Sequence, residues 1–84
     1  MDKHLILGVH ICDRLKRVAD VQALFSEYGK CIKTRVGLHE PESPLEPTGL
    51  VLLEMWGDEA RCFELARKLN EIDGVDVQQM VFGH

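Results

Sequence analysis

Apolar residues recur at every second position in three stretches of the chain, and this is the period of a β-strand. The three stretches run from His4 to Ile11, from Cys31 to His39 and from Val75 to Phe82. A fourth stretch, from Leu50 to Trp56, is apolar at nearly every position, which favours a central strand covered on both faces. The sequence therefore predicts four strands.

Two further stretches carry apolar residues three and four positions apart, which predicts helices. The first has a capping residue at Asp13 and continues to Tyr28, and Gly29 stands where a left-handed residue ends a helix. The second follows Gly57 and Asp58. Its apolar stripe consists of Cys62, Leu65, Ala66, Leu69 and Ile72.

The elements follow one another as strand, helix, strand, strand, helix, strand. Right-handed crossovers in the two strand-helix-strand units give a four-stranded antiparallel sheet of order 4-1-3-2 with both helices on one face. This is an α+β, ferredoxin-like βαββαβ sandwich, and a chain of 84 residues has room for one such domain, spanning 1–84. The segment from Glu40 to Pro47 holds all three prolines and three glutamates, which predicts an irregular loop.

Two helices cover only one face of such a sheet, so the other face is left open. In the second strand, alternation turns one set of residues towards the helices, namely Ile32, Thr34, Val36 and Leu38. The other set falls on the open face, namely Cys31, Lys33, Arg35, Gly37 and His39. Six large apolar side chains share this open face: Ile6, Leu50, Leu52, Trp56, Met80 and Phe82. Because a small domain rarely leaves so much apolar surface wet, we expect these six to form the interface of a homodimer or homotetramer.

The overall composition excludes several classes of protein. Ten basic against fourteen acidic residues give a net charge of -4, which argues against direct nucleic-acid binding by this chain alone. No stretch approaches the roughly 20 apolar residues of a membrane span, and no secretory signal is recognisable, so we expect a cytoplasmic protein without membrane contact. Three cysteines without a CxxC pair are typical of free thiols. Catalytic patterns such as HExxH or a glycine-rich phosphate loop are absent, so we expect a binding protein and not an enzyme.

Short motifs along the chain resemble a known family. They are Tyr28-Gly29, Ile32, Arg35-Val36-Gly37-Leu38, Lys68-Leu69, Ile72, Gly74-Val75 and Val77. These residues resemble a family of small stand-alone bacterial proteins labelled iron-only hydrogenase system regulators, which are similar to the ACT domain and to the C-terminal sensor domain of the nickel-responsive regulator. The resemblance implies an ACT-like ferredoxin fold, oligomeric assembly and a regulatory or ligand-sensing role. The chain departs from the family in the loop from Glu40 to Pro47 and at His10-Ile11-Cys12.

The end of the first strand carries the residues best suited to a metal. His10 and Cys12 are two positions apart, so their side chains leave the same face of the strand close enough to chelate one ion. The topology brings His39 to the same edge of the sheet. Such a nitrogen and sulfur set suits a transition metal such as nickel or zinc, although no cofactor is required by the sequence. The alternative is that His10 and Cys12 are ordinary sheet residues at a subunit contact.

A second candidate site lies on the predicted open face of the second strand. Arg35 beside Gly37 offers a fixed cation next to accessible backbone, which suits the carboxylate or phosphate of a small-molecule effector. Glu54 on the neighbouring strand completes this candidate ligand site. The alternative is that Arg35 simply pairs with Glu54.

Two functions follow from these observations. The first is a small regulatory or ligand-sensing module that acts through oligomerisation and through small-molecule or metal binding. The second is an interaction module without a ligand, whose open sheet face docks onto a different protein.

Overall fold

The computed structural model describes residues 2–12, 14–38 and 49–83. Its elements are β1 (His4–Ile11), α1 (Arg14–Glu27), a single 3-10 turn (Gly29–Cys31), β2 (Ile32–Leu38), β3 (Gly49–Met55), α2 (Glu59–Asn70) and β4 (Val75–Phe82). The strands form one sheet in the order β2-β3-β1-β4, and every neighbouring pair is antiparallel. This confirms the ferredoxin-like α+β fold and the strand order predicted from the sequence.

Alternation along β1 explains where the core lies. Leu5, Leu7 and Val9 are completely buried on the helix side of the sheet. Their neighbours on β3, Met55 and Leu53, are buried with them. The helices supply the facing layer with Val21, Phe25, Cys62, Leu65 and Leu69. Since burying one Leu side chain contributes about 1.5–3 kcal/mol, this single layer supplies most of the driving force for folding.

The second helix begins where its sequence predicts, but it ends at Asn70, before Ile72 of the predicted stripe. The carboxylate of Asp58 accepts hydrogen bonds from the backbone N–H groups of Ala60 at 2.9 Å and Arg61 at 3.4 Å. These bonds satisfy two of the N–H groups that a helix leaves without an internal partner. Gly57 before the cap has φ +92°, and Gly74 after the helix has φ +84°, a backbone region that favours glycine.

The end of the first helix differs from the prediction. Gly29 has no positive φ and begins the 3-10 turn, so it does not act as a left-handed cap. Cys31 ends that turn with its side chain buried, because the turn directs it into the core instead of onto the open face. Val18, three residues before the buried Val21 of this helix, is 41% exposed. The predicted cap at Asp13 and the loop from Glu40 to Pro47 lie outside the described residues.

A β-bulge in β2 changes which residues face the helices. Ile32 pairs with Met55, whereas Thr34 pairs with Glu54, so Lys33 is an extra residue in this strand. One extra residue moves every following side chain to the other face of a sheet. The predicted assignment of faces beyond Ile32 is therefore wrong. Thr34, Val36 and Leu38 lie on the open face, and Arg35 and Gly37 lie on the helix side.

Candidate functional site

The open face of the sheet carries the largest group of exposed apolar side chains in the described part of the chain. All six residues predicted from alternation lie on it: strand register places five of them, and Trp56, one residue beyond β3, borders the same cleft as His4 and Glu54. Trp56, Met80 and Phe82 are 56%, 49% and 52% exposed. The bulge adds Val36 at 44% and Leu38 at 45% exposure. Ile6, Leu50 and Leu52 are half-buried among them.

Strand register arranges these side chains in rows across the sheet. One row runs Thr34, Glu54, Ile6, Met80; the next runs Val36, Leu52, Gly8, Gln78; the third runs Leu38, Leu50, His10, Asp76. Directly opposed residues lie only about 4.5–5.5 Å apart, so each row is a continuous strip of side chains. The β2–β3 half of the open face is mainly apolar. Polar side chains of the open face collect in two places, around Glu54 and around His10.

The first polar corner is a cluster around Glu54. Its carboxylate accepts a hydrogen bond from the Thr34 hydroxyl at 2.8 Å and lies 2.9 Å from Nε2 of His4. These two contacts, the one to Thr34 first, hold the pKa of Glu54 below its ordinary value. Glu54 is therefore an ionised, oriented acceptor at the edge of an apolar surface. Sequence reasoning missed this cluster because it placed Thr34 on the opposite face.

Arg35 does not contribute to the open face. Its guanidinium carbon lies 4.9 Å from the ring centroid of Phe25, on the helix side of the sheet. The prediction that Arg35, Gly37 and Glu54 lie together on the open face is wrong, because Arg35 and Gly37 lie on one face and Glu54 on the other. The alternative ion pair between Arg35 and Glu54 is wrong for the same reason. Both expectations failed for the same reason, the extra residue at Lys33.

The second polar corner contains two of the three predicted metal ligands, His10 and Cys12. Cys12 Sγ lies 3.8 Å from Nδ1 of His10, and both residues are exposed. The backbone N–H of Cys12 donates to the carbonyl of Gly74 at 2.8 Å, and His10 pairs with Asp76 of β4. His39 lies outside the described residues, and within residues 2–12, 14–38 and 49–83 no group of three or more metal-binding side chains occurs.

A shallow cleft of about 340 Å³ lies beside Trp56 at one end of the open face. Trp56 and the His4–Glu54 pair lie along it, together with Lys3, whose ammonium group forms an ion pair with Glu59 at 2.8 Å. The ring of Phe82 lies against His4 with the centroids 6.2 Å apart. The cleft therefore combines aromatic surface with the paired side chains of Lys3 and Glu54 and with the ammonium group of Lys33.

At the β4 edge of the sheet, a side chain blocks one of the backbone donors that another strand would pair with. On the outer strand β4, the backbone N–H of Val77 donates to the side-chain oxygen of Asn70 at 3.1 Å. This bond occupies a donor that an incoming strand would need, so it opposes pairing of another chain along β4. No helix in the described ranges is long and apolar enough to cross a membrane.

Comparison with known proteins gives similarity in structure but not in named function. No protein-family model and no curated protein sequence matches the chain. Among solved structures, an uncharacterized protein from Thermotoga maritima is 29% identical with a TM-score of 0.80, covering 94% of this chain and 96% of its own.

Two further structural matches are more distant. One is an antibiotic biosynthesis monooxygenase with 14% identity and a TM-score of 0.46, covering 95% of this chain and 97% of its own. The other, from Bacteroides thetaiotaomicron and described with the same activity, has 18% identity and a TM-score of 0.47, covering 99% of this chain and 88% of its own. These two are too dissimilar to bear on chemistry. The chain thus shares its fold, along nearly its whole length, with the Thermotoga maritima protein.

Proposed function

We propose that this chain is a small regulatory module that works by assembly, with two copies packed against each other through their open sheet faces. The observation that carries the proposal is the set of five large apolar side chains on that face that are 44–56% exposed: Val36, Leu38, Trp56, Met80 and Phe82. Contiguous exposed apolar surface of this kind is typical of an interaction site.

The size of the face suits a homodimer. Four strands spaced about 4.8 Å apart, each seven or eight residues long with a rise of about 3.3 Å per residue, cover about 20 by 25 Å. Two such faces supply about 1,000 Å² of flat area before side-chain relief is counted, which reaches the size of a biological interface.

The β4 edge of the sheet offers a poorer route to assembly. Asn70 already occupies the Val77 N–H on β4, so growth of one continuous sheet across that edge would first have to break this bond. Face-to-face packing breaks no hydrogen bond and covers the apolar side chains. Two stacked sheets would lie about 10 Å apart, with their side chains interdigitated.

The regulatory part of the proposal rests on the sequence resemblance to the hydrogenase system regulators. The association of two small domains can shift with chain concentration or with a bound ligand, and a regulator can act through such a shift. The earlier candidate for a small-molecule site at Arg35 is not part of this proposal, since Arg35 faces the helices.

Sedimentation velocity tests the assembly with a matched pair of variants. Met80 and Val81 are neighbours in β4 with similar exposure, 49% and 43%, but they lie on opposite faces. We expect the wild type and Val81→Lys to sediment as dimers and Met80→Lys to sediment as a monomer at the same concentration. A lysine at Met80 would bury a charge without a partner, whereas a lysine at Val81 stays outside the interface.

Two results would contradict the proposal. One is a wild type that remains monomeric at every concentration, which would favour the alternative of an interaction module that docks onto a different protein. The other is equal loss of the dimer in Met80→Lys and Val81→Lys, which would place the interface elsewhere.

A further inference from the structure

The corner of the open face formed by His10 and Cys12 has the geometry of half a metal site. A tetrahedral zinc ion bonds sulfur at about 2.3 Å and nitrogen at about 2.0–2.1 Å, which places the two ligand atoms about 3.6 Å apart. The observed separation of Cys12 Sγ and His10 Nδ1 is 3.8 Å. The pair can therefore hold one ion without rearranging its backbone.

Both ligands are attached to rigid structure. His10 lies within β1, paired on one side with Leu50 and on the other with Asp76. Cys12 is held just beyond the strand by the hydrogen bond from its N–H to Gly74. Asp76, opposite His10 in β4, is a suitable neighbour for a ligating histidine, because carboxylates commonly orient such rings by accepting a hydrogen bond from the ring N–H.

The described residues of one chain supply two ligands at this corner. In the described ranges no third His, Cys, Asp or Glu joins this pair to complete a metal-binding group. A structural zinc site takes four ligands, commonly two cysteines and two histidines. A second copy carries the same two ligands and can supply the other half of a four-ligand site.

We propose that two copies of this chain join their His10–Cys12 pairs into one His2Cys2 site for a divalent metal of the zinc class at the dimer axis. The inference rests on the proposed packing of two open faces. It commits to a twofold axis parallel to the strands, because only that axis keeps the same strand ends together and brings each pair opposite its copy.

Distances across the interface permit this arrangement. β1 is one of the two inner strands of the sheet, so an axis above the β1–β3 boundary passes within about 3 Å of it. Half of the roughly 10 Å between stacked sheets is about 5 Å. A cysteine side chain and one metal–sulfur bond of about 2.3 Å together span that distance.

Metal binding at this site is a proton-coupled step. Each Cys12 thiol loses its proton to solvent, and the sulfur donates an electron pair to the metal, as does one ring nitrogen of each His10. Two thiolates balance the charge of the dication. Where the free thiols are protonated, the apparent affinity rises by up to about a hundredfold for each pH unit, because two protons leave per ion.

Cobalt titration of the reduced 84-residue chain tests the site, since Co²⁺ bound by thiolates in a tetrahedral site absorbs visible light. We expect thiolate-to-cobalt absorption that saturates at one ion for every two chains and is abolished by added Zn²⁺. The variants Cys12→Ser and His10→Asn should lose the signal. Cys62→Ala, which removes a thiol buried in the core on the helix side of the sheet, should keep it.

Sedimentation in a chelator separates this inference from the proposed function. A wild type that is dimeric in chelator yet shows no cobalt signal would overturn the metal site and leave face-to-face assembly intact. Saturation at one ion per chain, or a signal that survives Cys12→Ser, would also overturn the shared site. A chain that is monomeric both in chelator and with saturating Co²⁺ would overturn both proposals.

Discussion

The placement of Arg35 on the helix side of the sheet predicts a specific energetic coupling. Its guanidinium lies over the Phe25 ring at 4.9 Å, within the roughly 6 Å at which a cation–π contact operates. Such a contact at an exposed arginine is worth about 0.5–1 kcal/mol. Arg35→Met keeps the packing of the side-chain stem and removes the charge, while Phe25→Leu keeps an apolar core residue and removes the ring.

A double-mutant cycle measures the coupling. We expect the unfolding free energies of the wild type, the two single variants and the double variant to give a coupling of about 0.5–1 kcal/mol between Arg35 and Phe25. The matched cycle pairs Arg35→Met with Glu54→Gln and should be additive within about 0.5 kcal/mol, because these residues lie on opposite faces. Urea unfolding followed by circular dichroism supplies the energies, at one fixed chain concentration because assembly contributes to stability.

The two cycles together decide the face of β2. A coupling between Arg35 and Glu54 larger than that between Arg35 and Phe25 would refute the bulge at Lys33. It would restore the simple alternation of the second strand, with Arg35 on the open face.

Three further predictions concern the cap, a turn and the acidic cluster. Asp58→Ala should lower stability by about 1 kcal/mol, seen as a fall of about 4–8 °C in Tm, while Asp58→Asn should lose much less; equal losses would contradict the capping role. Gly74→Ala should lower the free energy of unfolding by about 1–2 kcal/mol, because the φ of Gly74 is +84° and an added Cβ would lie 3.2 Å from the carbonyl oxygen of Cys12. Cobalt binding should weaken in the same variant. An unchanged Tm would contradict this prediction. Thr34→Val should raise the pKa of Glu54 by removing the largest cause of its lowering, as read from an NMR titration of the carboxyl carbon. Because its pKa is lowered, Glu54 stabilises the fold at pH values above its pKa in the unfolded chain, and this contribution is lost as the pH falls through its pKa in the folded chain. The stability deficit of Thr34→Val should therefore vanish in acid.

Local patterns in the sequence were sufficient for the elements and their order. The alternation of Leu5, Leu7 and Val9 identified the core side of β1, and Asp58 marked the start of α2. The closeness of His10 and Cys12 was also predictable, because residues two apart on a strand always share a face. In each case the signal depends on residues near one another along the chain.

The composition of the open face was predicted only in part. Strands β1, β3 and β4 each run without interruption in the described range, so alternation placed Ile6, Leu52 and Met80 on the face where the structure has them. Val36 and Leu38 were missed, and with them the contact between Thr34 and Glu54. Thr34, Val36 and Leu38 all belong to β2 beyond the bulge.

The sequence by itself therefore determined the strands, the helices, the topology and the side chains that share a face within each uninterrupted strand. Only the tertiary structure decided which side chains of β2 lie on the open face. Alternation in the sequence shows that neighbouring residues lie on opposite faces, but it does not show where one extra residue in the strand reverses this assignment. At Lys33 both phases of the strand were compatible with the pattern. The pairing of Thr34 with Glu54 and the packing of Arg35 on Phe25 are long-range contacts, and they select one phase.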